Sequence, residues 1–177
     1  MDSFEARTPA LYIYVTVVVH LKEQTLTDEV EKYLPHNILQ KAIVSGNEYG
    51  WKRPDFKVTV EKAVEMRLGI IGGQVQFKFP DGTCELYWHN YDTADRKSGE
   101  SWPEYCQRTK DECIEKFDKL PSDNELIKEG IEIFDFIREK KNTDTELGDY
   151  LIFILYFNDL ETDLELSNKK YSKNFRK

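Results

Sequence analysis

Few residues in this chain could act as nucleophile, base or metal ligand. There are three histidines, His20, His36 and His89, and three cysteines, Cys84, Cys106 and Cys113. A zinc-type site needs histidine or cysteine pairs at short spacing, and none of the histidines has such a neighbour, so no metal or cofactor is expected. A thiol nucleophile needs a thiolate beside a base. Cys106 and Cys113 fall instead on the apolar face of a predicted helix, and Cys84 points inward from a predicted strand. An odd number of cysteines cannot all pair within one chain. Seven residues along a helix is about 10 Å, too far for a bridge between Cys106 and Cys113. Buried thiols in a reducing compartment are the expectation. Gly69, Gly72 and Gly73 precede a strand rather than a helix, so they suit a close backbone approach or a bulge, not a phosphate loop. His89, beside Asn90, Tyr91 and Asp92, is the only histidine next to a polar cluster. No catalytic residue is named, and the chain is expected not to be an enzyme.

What the residue types do offer is a surface. Tyr87, His89 and Tyr91 leave a predicted strand, followed by Asp92, Asp95 and Glu100 in a polar loop and Trp102 just beyond it. Tyr49 and Trp51 sit in a second predicted loop, residues 47–56. Aromatics ringed by acids have the composition of a hot spot for a basic partner. The competing reading is that the loop aromatics plug the core and Trp102 staples a helix. A pocket lined by Tyr87, His89, Tyr91 and Trp51, with His89 facing Asp92, is the small-molecule or enzymatic alternative.

The elements that must hold these residues follow from periodicity. Leu11 to Lys22 alternates apolar and mixed positions as a long strand. Thr25 or Thr27 can cap a helix that Pro35 interrupts. Ile38, Leu39, Ala42 and Ile43 give a second short helix ending at Gly46. Thr59 is expected to cap a helix with Val60, Ala63, Val64 and Leu68 on one stripe, ending at Gly69. Val75, Phe77 and Phe79 then alternate with Gln74, Gln76 and Lys78, and the return strand alternates Cys84, Leu86 and Trp88 with Glu85, Tyr87 and His89. An even loop over Pro80 to Thr83 aligns Phe79 with Cys84, Phe77 with Leu86 and Val75 with Trp88. A three-residue loop would expose half the apolar set. Ser101 with Glu104 and Ser122 with Glu125 have capping-box spacing. The first box opens a helix burying Tyr105, Cys106, Thr109, Cys113 and Phe117. The second opens one with Leu126, Gly130, Ile133, Phe134 and Ile137 inward. Asp149 to Phe157 is apolar on both faces, as a central strand would be. Residues 159–166 alternate acid and leucine, as a charged edge strand would.

Together these predict a single α+β domain over residues 1–177, mainly an antiparallel twisted sheet of about four to five strands with several helices packed on it. Residues 168–177 are expected to be a mobile basic tail. A 40% hydrophobic and 33% charged composition with ten Phe and ten Tyr argues for a folded, water-soluble chain rather than a disordered one. No apolar run approaches the roughly 20 residues of a membrane helix, and the N-terminus lacks the pattern of a secretory signal, so a cytoplasmic location is expected. The net charge is −8, and the last ten residues hold five bases and no acid, leaving −13 on the first 167. That disfavours nucleic-acid binding and suits a basic protein partner.

One order of motifs carries a resemblance. Gly50-Trp51, the helix Val60 to Met66, the phrase Gly69-Ile70-Ile71-Gly72-Gly73-Gln74-Val75, a strand ending Tyr91-Asp92, and Ser101-Trp102-Pro103-Glu104-Tyr105 opening a helix follow one another across residues 33–157. In this the chain resembles the bacterial immunity proteins of polymorphic toxin systems, closest to the immunity protein 40 group. Gln74 stands where that pattern would have an acid, and the strand over residues 11–22 is an addition to it. The resemblance implies a non-catalytic inhibitor that binds a cognate toxin, a basic nuclease being the kind its acidity would suit. A phage-encoded inhibitor of a host defence would share the binding logic.

Overall fold

Strand β6, Leu151–Asn158, has no charged residue and only Tyr156 is less than fully buried, so it needs cover on both faces and partners on both edges. The computed structural model, which describes residues 30–143 and 145–165, gives it both edges. On one side lies β2, Glu48–Trp51, pairing Tyr49 with Leu155 and Trp51 with Phe153. On the other lie β3, Gly69–Gly72, and β4, Gln74–Phe79, which run in line along it. β1, Ile43–Ser45, extends the sheet beyond β2, and β5, Gly82–Asn90, extends it beyond β4. Every pairing is antiparallel, and the order among the described residues is β1-β2-β6-β4-β5 with β3 also on β6. The α+β class and the mainly antiparallel sheet are as expected, with six strands among the described residues.

Alternation along β6 divides the sheet's faces. Leu151, Phe153, Leu155 and Phe157 join the main core. Over them pack α2, Arg53–Glu65, and α3, Trp102–Asp118. Phe56 of α2 stacks on Phe117 of α3 with ring centroids 3.7 Å apart, and both meet the Phe153 ring edge-on. Each such fully buried ring contributes about 1.5–3 kcal/mol, so this cluster alone is large against a typical net stability of about 5–15 kcal/mol. α4, Asp123–Ile133, lays Gly130 against the Phe77 ring, where a Cβ would stand 2.8 Å from a ring carbon. α5, Asp135–Lys141, sets Phe136 edge-on to Phe79 at 5.4 Å. Both capping boxes form: Glu104 and Glu125 accept from the main-chain N–H groups of Ser101 and Ser122 at 2.9 and 2.8 Å. Cys106, Cys113, Thr109 and Phe117 are buried on α3 as expected.

Several expectations are corrected. The second short helix stops early: α1 is His36–Leu39, and Ile43 already belongs to β1. Residues 48–51 of the expected loop are strand β2, because Trp51 gains a fully buried place and donates its indole N–H to the Ile38 carbonyl at 3.1 Å. α2 begins at Arg53, with Pro54 in its first turn, so Thr59 is mid-helix and bonds back to the Asp55 carbonyl at 2.9 Å rather than capping. The chain from Asp123 is not one helix, since Phe134 is extended (φ −106°, ψ 116°) and Ile133 is 50% exposed. Residues 160–165 are helical, not an acidic edge strand. Asp159 accepts from the Thr162 N–H at 2.8 Å and so starts that turn. The strand expected at residues 11–22, the caps Thr25 and Thr27, and the tail 168–177 lie outside the described residues.

The hairpin keeps the expected faces with a shorter turn. Phe79 pairs with Gly82, Phe77 with Cys84 and Val75 with Leu86, so the loop is the two residues Pro80 and Asp81, and Lys78 faces Thr83 rather than Glu85. The loop is even, as the apolar pattern requires, but two residues shorter than the four-residue form.

Candidate partner-binding surface

The exit of β5 is shaped first by glycines. The register of β3 on β6 shifts by one residue between Ile70 and Gly72, a bulge where the glycines suggested one. Gly72 has φ +131°, and a Cβ on it would sit 2.3 Å from the Asp92 Cα. A Cβ on Gly73 would sit 1.8 Å from the Ile154 carbonyl oxygen. This close approach lets the 91–93 segment lie along β3. The Tyr91 N–H donates to Gly73 O at 3.1 Å and the Thr93 N–H to Ile71 O at 2.9 Å. Tyr91 is wholly buried; its hydroxyl donates to the carbonyls of Gln74 and Ile154, and burial pushes it well above the usual phenol range.

The same region throws three residues outward. After Val75–Leu86 the next pair is Gln74–Asn90, so Tyr87, Trp88 and His89 bulge from the ladder. The bulge is pinned to α4 by one carboxylate. Trp88 Nε1 donates to Glu129 Oε1 at 2.8 Å, and His89 Nε2 lies 2.6 Å from Glu129 Oε2. A carboxylate only accepts, so the His89 proton is directed to it. Tyr87, 66% exposed, meets the Trp88 ring edge-on at 5.0 Å. Ile133, one helical turn beyond Glu129, is another exposed large apolar residue. The tyrosine hydroxyl and the Glu129 carboxylate give this arrangement polar ends beside its rings, so it is amphipathic.

The acidic loop is built differently from the surface expected of it. Glu100 is held inside a staple: Arg108 donates to its two oxygens at 2.7 and 2.9 Å, to Glu112 at 2.8 Å and to the Asp95 carbonyl at 3.1 Å. Arg108, helped by the Lys97 N–H, holds the Glu100 carboxyl down at about 2. Arg96 continues the staple to Asp163 at 2.8 Å. Asp92 and Asp95 are exposed, and Lys116 donates to the Asp92 main-chain carbonyl.

Of the nine expected contact residues, then, the fold brings Tyr87 and His89 together at one surface and leaves Asp92 and Asp95 exposed in the loop that follows. Trp51, Tyr91 and Trp102 are buried, and Trp102 donates to the Arg67 carbonyl at 2.8 Å. Tyr49 is half-buried, stacked beside Trp51 with centroids 6.5 Å apart. The pocket imagined between Tyr87, His89, Tyr91 and Trp51 is not formed as drawn, because two of its walls are core and His89 pairs with Glu129, not Asp92. The expected inward placing of Trp88 and Ile133 is overturned, since both are exposed, and nothing in the sequence pattern singled out Glu129. Strict alternation sends Trp88 inward, and a bulge has no signature in a period of two.

No group of three or more histidine, cysteine, aspartate or glutamate side chains among the described residues is placed to hold a metal ion. No helix among them is long and apolar enough to cross a membrane. Comparison with protein-family models, curated proteins and solved structures gives no match.

Proposed function

We propose that this chain is a non-catalytic immunity or inhibitor protein of a bacterial cytoplasm that neutralises a cognate toxin by direct binding. The observation that supports it most is the outward bulge Tyr87-Trp88-His89, fixed to α4 by Glu129. A tyrosine and a tryptophan held in place before binding lose little conformational entropy on contact, which is what makes such residues interface anchors. The acidic sequence and the exposed Asp92 and Asp95 favour a basic partner, a nuclease among them, and would speed encounter at low salt.

The test is co-expression with the product of the neighbouring gene, followed by calorimetry of the purified pair. Tyr87→Ala is expected to weaken binding at least tenfold without altering the fold, and adding Glu129→Lys should weaken it further and abolish protection. Full protection by the double variant would remove this face from the interface. A neighbouring toxin left fully active by the wild-type chain would remove the inhibitor reading itself.

A further inference from the structure

The chemistry of the Tyr87 bulge narrows the kind of side chain that fits it. Glu129 makes one hydrogen bond at each oxygen, to Trp88 Nε1 at 2.8 Å and to His89 Nε2 at 2.6 Å. A carboxylate has about four acceptor sites, so each oxygen keeps one to offer. The Glu129 side chain is 30% exposed, so a partner can reach it from outside. Among the described residues His89 is its only ionic partner. Beside it stand two open rings, since Tyr87 is 66% and Trp88 39% exposed. The rings are nearly perpendicular, at 81°, so one or the other presents its face to a group arriving at the carboxylate. Among the described residues no lysine or arginine lies over either ring. Ile133, four residues after Glu129 and so on the same side of α4, adds an exposed apolar step.

A carboxylate with one acceptor site left on each oxygen, next to an open aromatic face, suits a flat cation with parallel N–H donors. Arginine is that cation. Its guanidinium can donate to both oxygens at once, and its weakly hydrated plane lies well on a ring. Lysine is a strongly hydrated point charge and gains less from the ring. We infer that the partner anchors here through an arginine side chain, which pairs with Glu129 and lies against the Tyr87–Trp88 rings, with an apolar neighbour on Ile133. This rests on the inhibitor reading for the source of the arginine, and adds to it the group that is recognised.

The experiment is a titration of the isotope-labelled full chain with an end-blocked glycine–arginine–leucine tripeptide at millimolar concentration, following the three indole N–H signals by NMR. Trp51 and Trp102 are buried, so their signals serve as controls and show that each variant is folded. The lysine counterpart of the peptide, at equal ionic strength, is the second control. A saturable shift of the Trp88 signal alone is expected, with the lysine peptide about threefold weaker. Glu129→Gln keeps an oxygen for the Trp88 N–H but removes the charge, and should weaken the arginine peptide about tenfold. Tyr87→Ala removes a ring and leaves the Glu129 contacts in place, and should weaken it about threefold. No shift at Trp88, a shift shared by Trp51 and Trp102, equal binding of the lysine peptide, or binding unchanged in Glu129→Gln would each overturn the arginine anchor. Inhibition of the neighbouring gene product by a chain that ignores the arginine peptide would overturn the anchor and leave the inhibitor reading. Peptide binding at Trp88 without that inhibition would support the site and remove the reading.

Discussion

Gly73 and Gly99 show how differently two glycines can matter. At Gly73 a Cβ would lie 1.8 Å from a main-chain oxygen of β6, an atom that cannot move without parting the central ladder. Gly99 has φ +80° but open space around it, so an added methyl meets only backbone strain. Gly73→Ala is therefore expected to cost at least about 3 kcal/mol, and Gly99→Ala about 1–2 kcal/mol, in urea denaturation. Equal costs would mean that β4 and β6 can slide apart locally. The role of the glycine pair was legible in the sequence, since two glycines before an alternating strand already suggested close approach. What they approach was not, because the Ile154 carbonyl and Asp92 lie far along the chain. His89 is the converse case: its neighbours in sequence pointed to Asp92, and its partner in space is Glu129.

At the scale of elements, the loop over residues 92–101 is held by arginines rather than offered as a free acidic edge. Arg108 keeps the Glu100 carboxyl near 2, below its ordinary 4.5. A carboxylate with a lowered folded value leaves the unfolded chain binding more protons in that window. Its stabilisation is therefore complete above pH 4.5 and is lost as pH falls toward 2. Glu100→Gln is expected to be less stable than the wild type at pH 6 and to converge with it by pH 2, as followed by thermal unfolding across that range. A constant difference at every pH would show that the charge of Glu100 is not what holds the loop. Both capping boxes and the buried face of α3 could be read from spacing, because a cap is chemistry over four residues. The break at Phe134 could not, because the apolar stripe runs through it unbroken and the bend is set by Phe136 packing on Phe79.

For the whole molecule, the three thiols report on how the fold opens. Cys106 and Cys113 are pushed up to about 11 and about 12 by burial, and Cys84 is raised for the same reason. At pH 8 a thiol reagent should label none of them faster than the chain opens, and all three in denaturant, with Cys84, on the outermost of the described strands, reacting first. Fast native labelling of Cys113 would contradict the packing of α3 on the sheet. By itself the sequence determined the α+β class, the central apolar strand, the starts of α3 and α4 at their capping boxes and which faces of most elements are buried. These are local consequences of period, capping and charge, carried within a few residues. Only the tertiary structure decided that Trp51 and Tyr91 are core, that residues 160–165 wind rather than extend, and that Trp88 turns outward to meet Glu129. Each of those outcomes depends on a partner tens of residues away, where burial and hydrogen bonding across the sheet outweigh the local pattern.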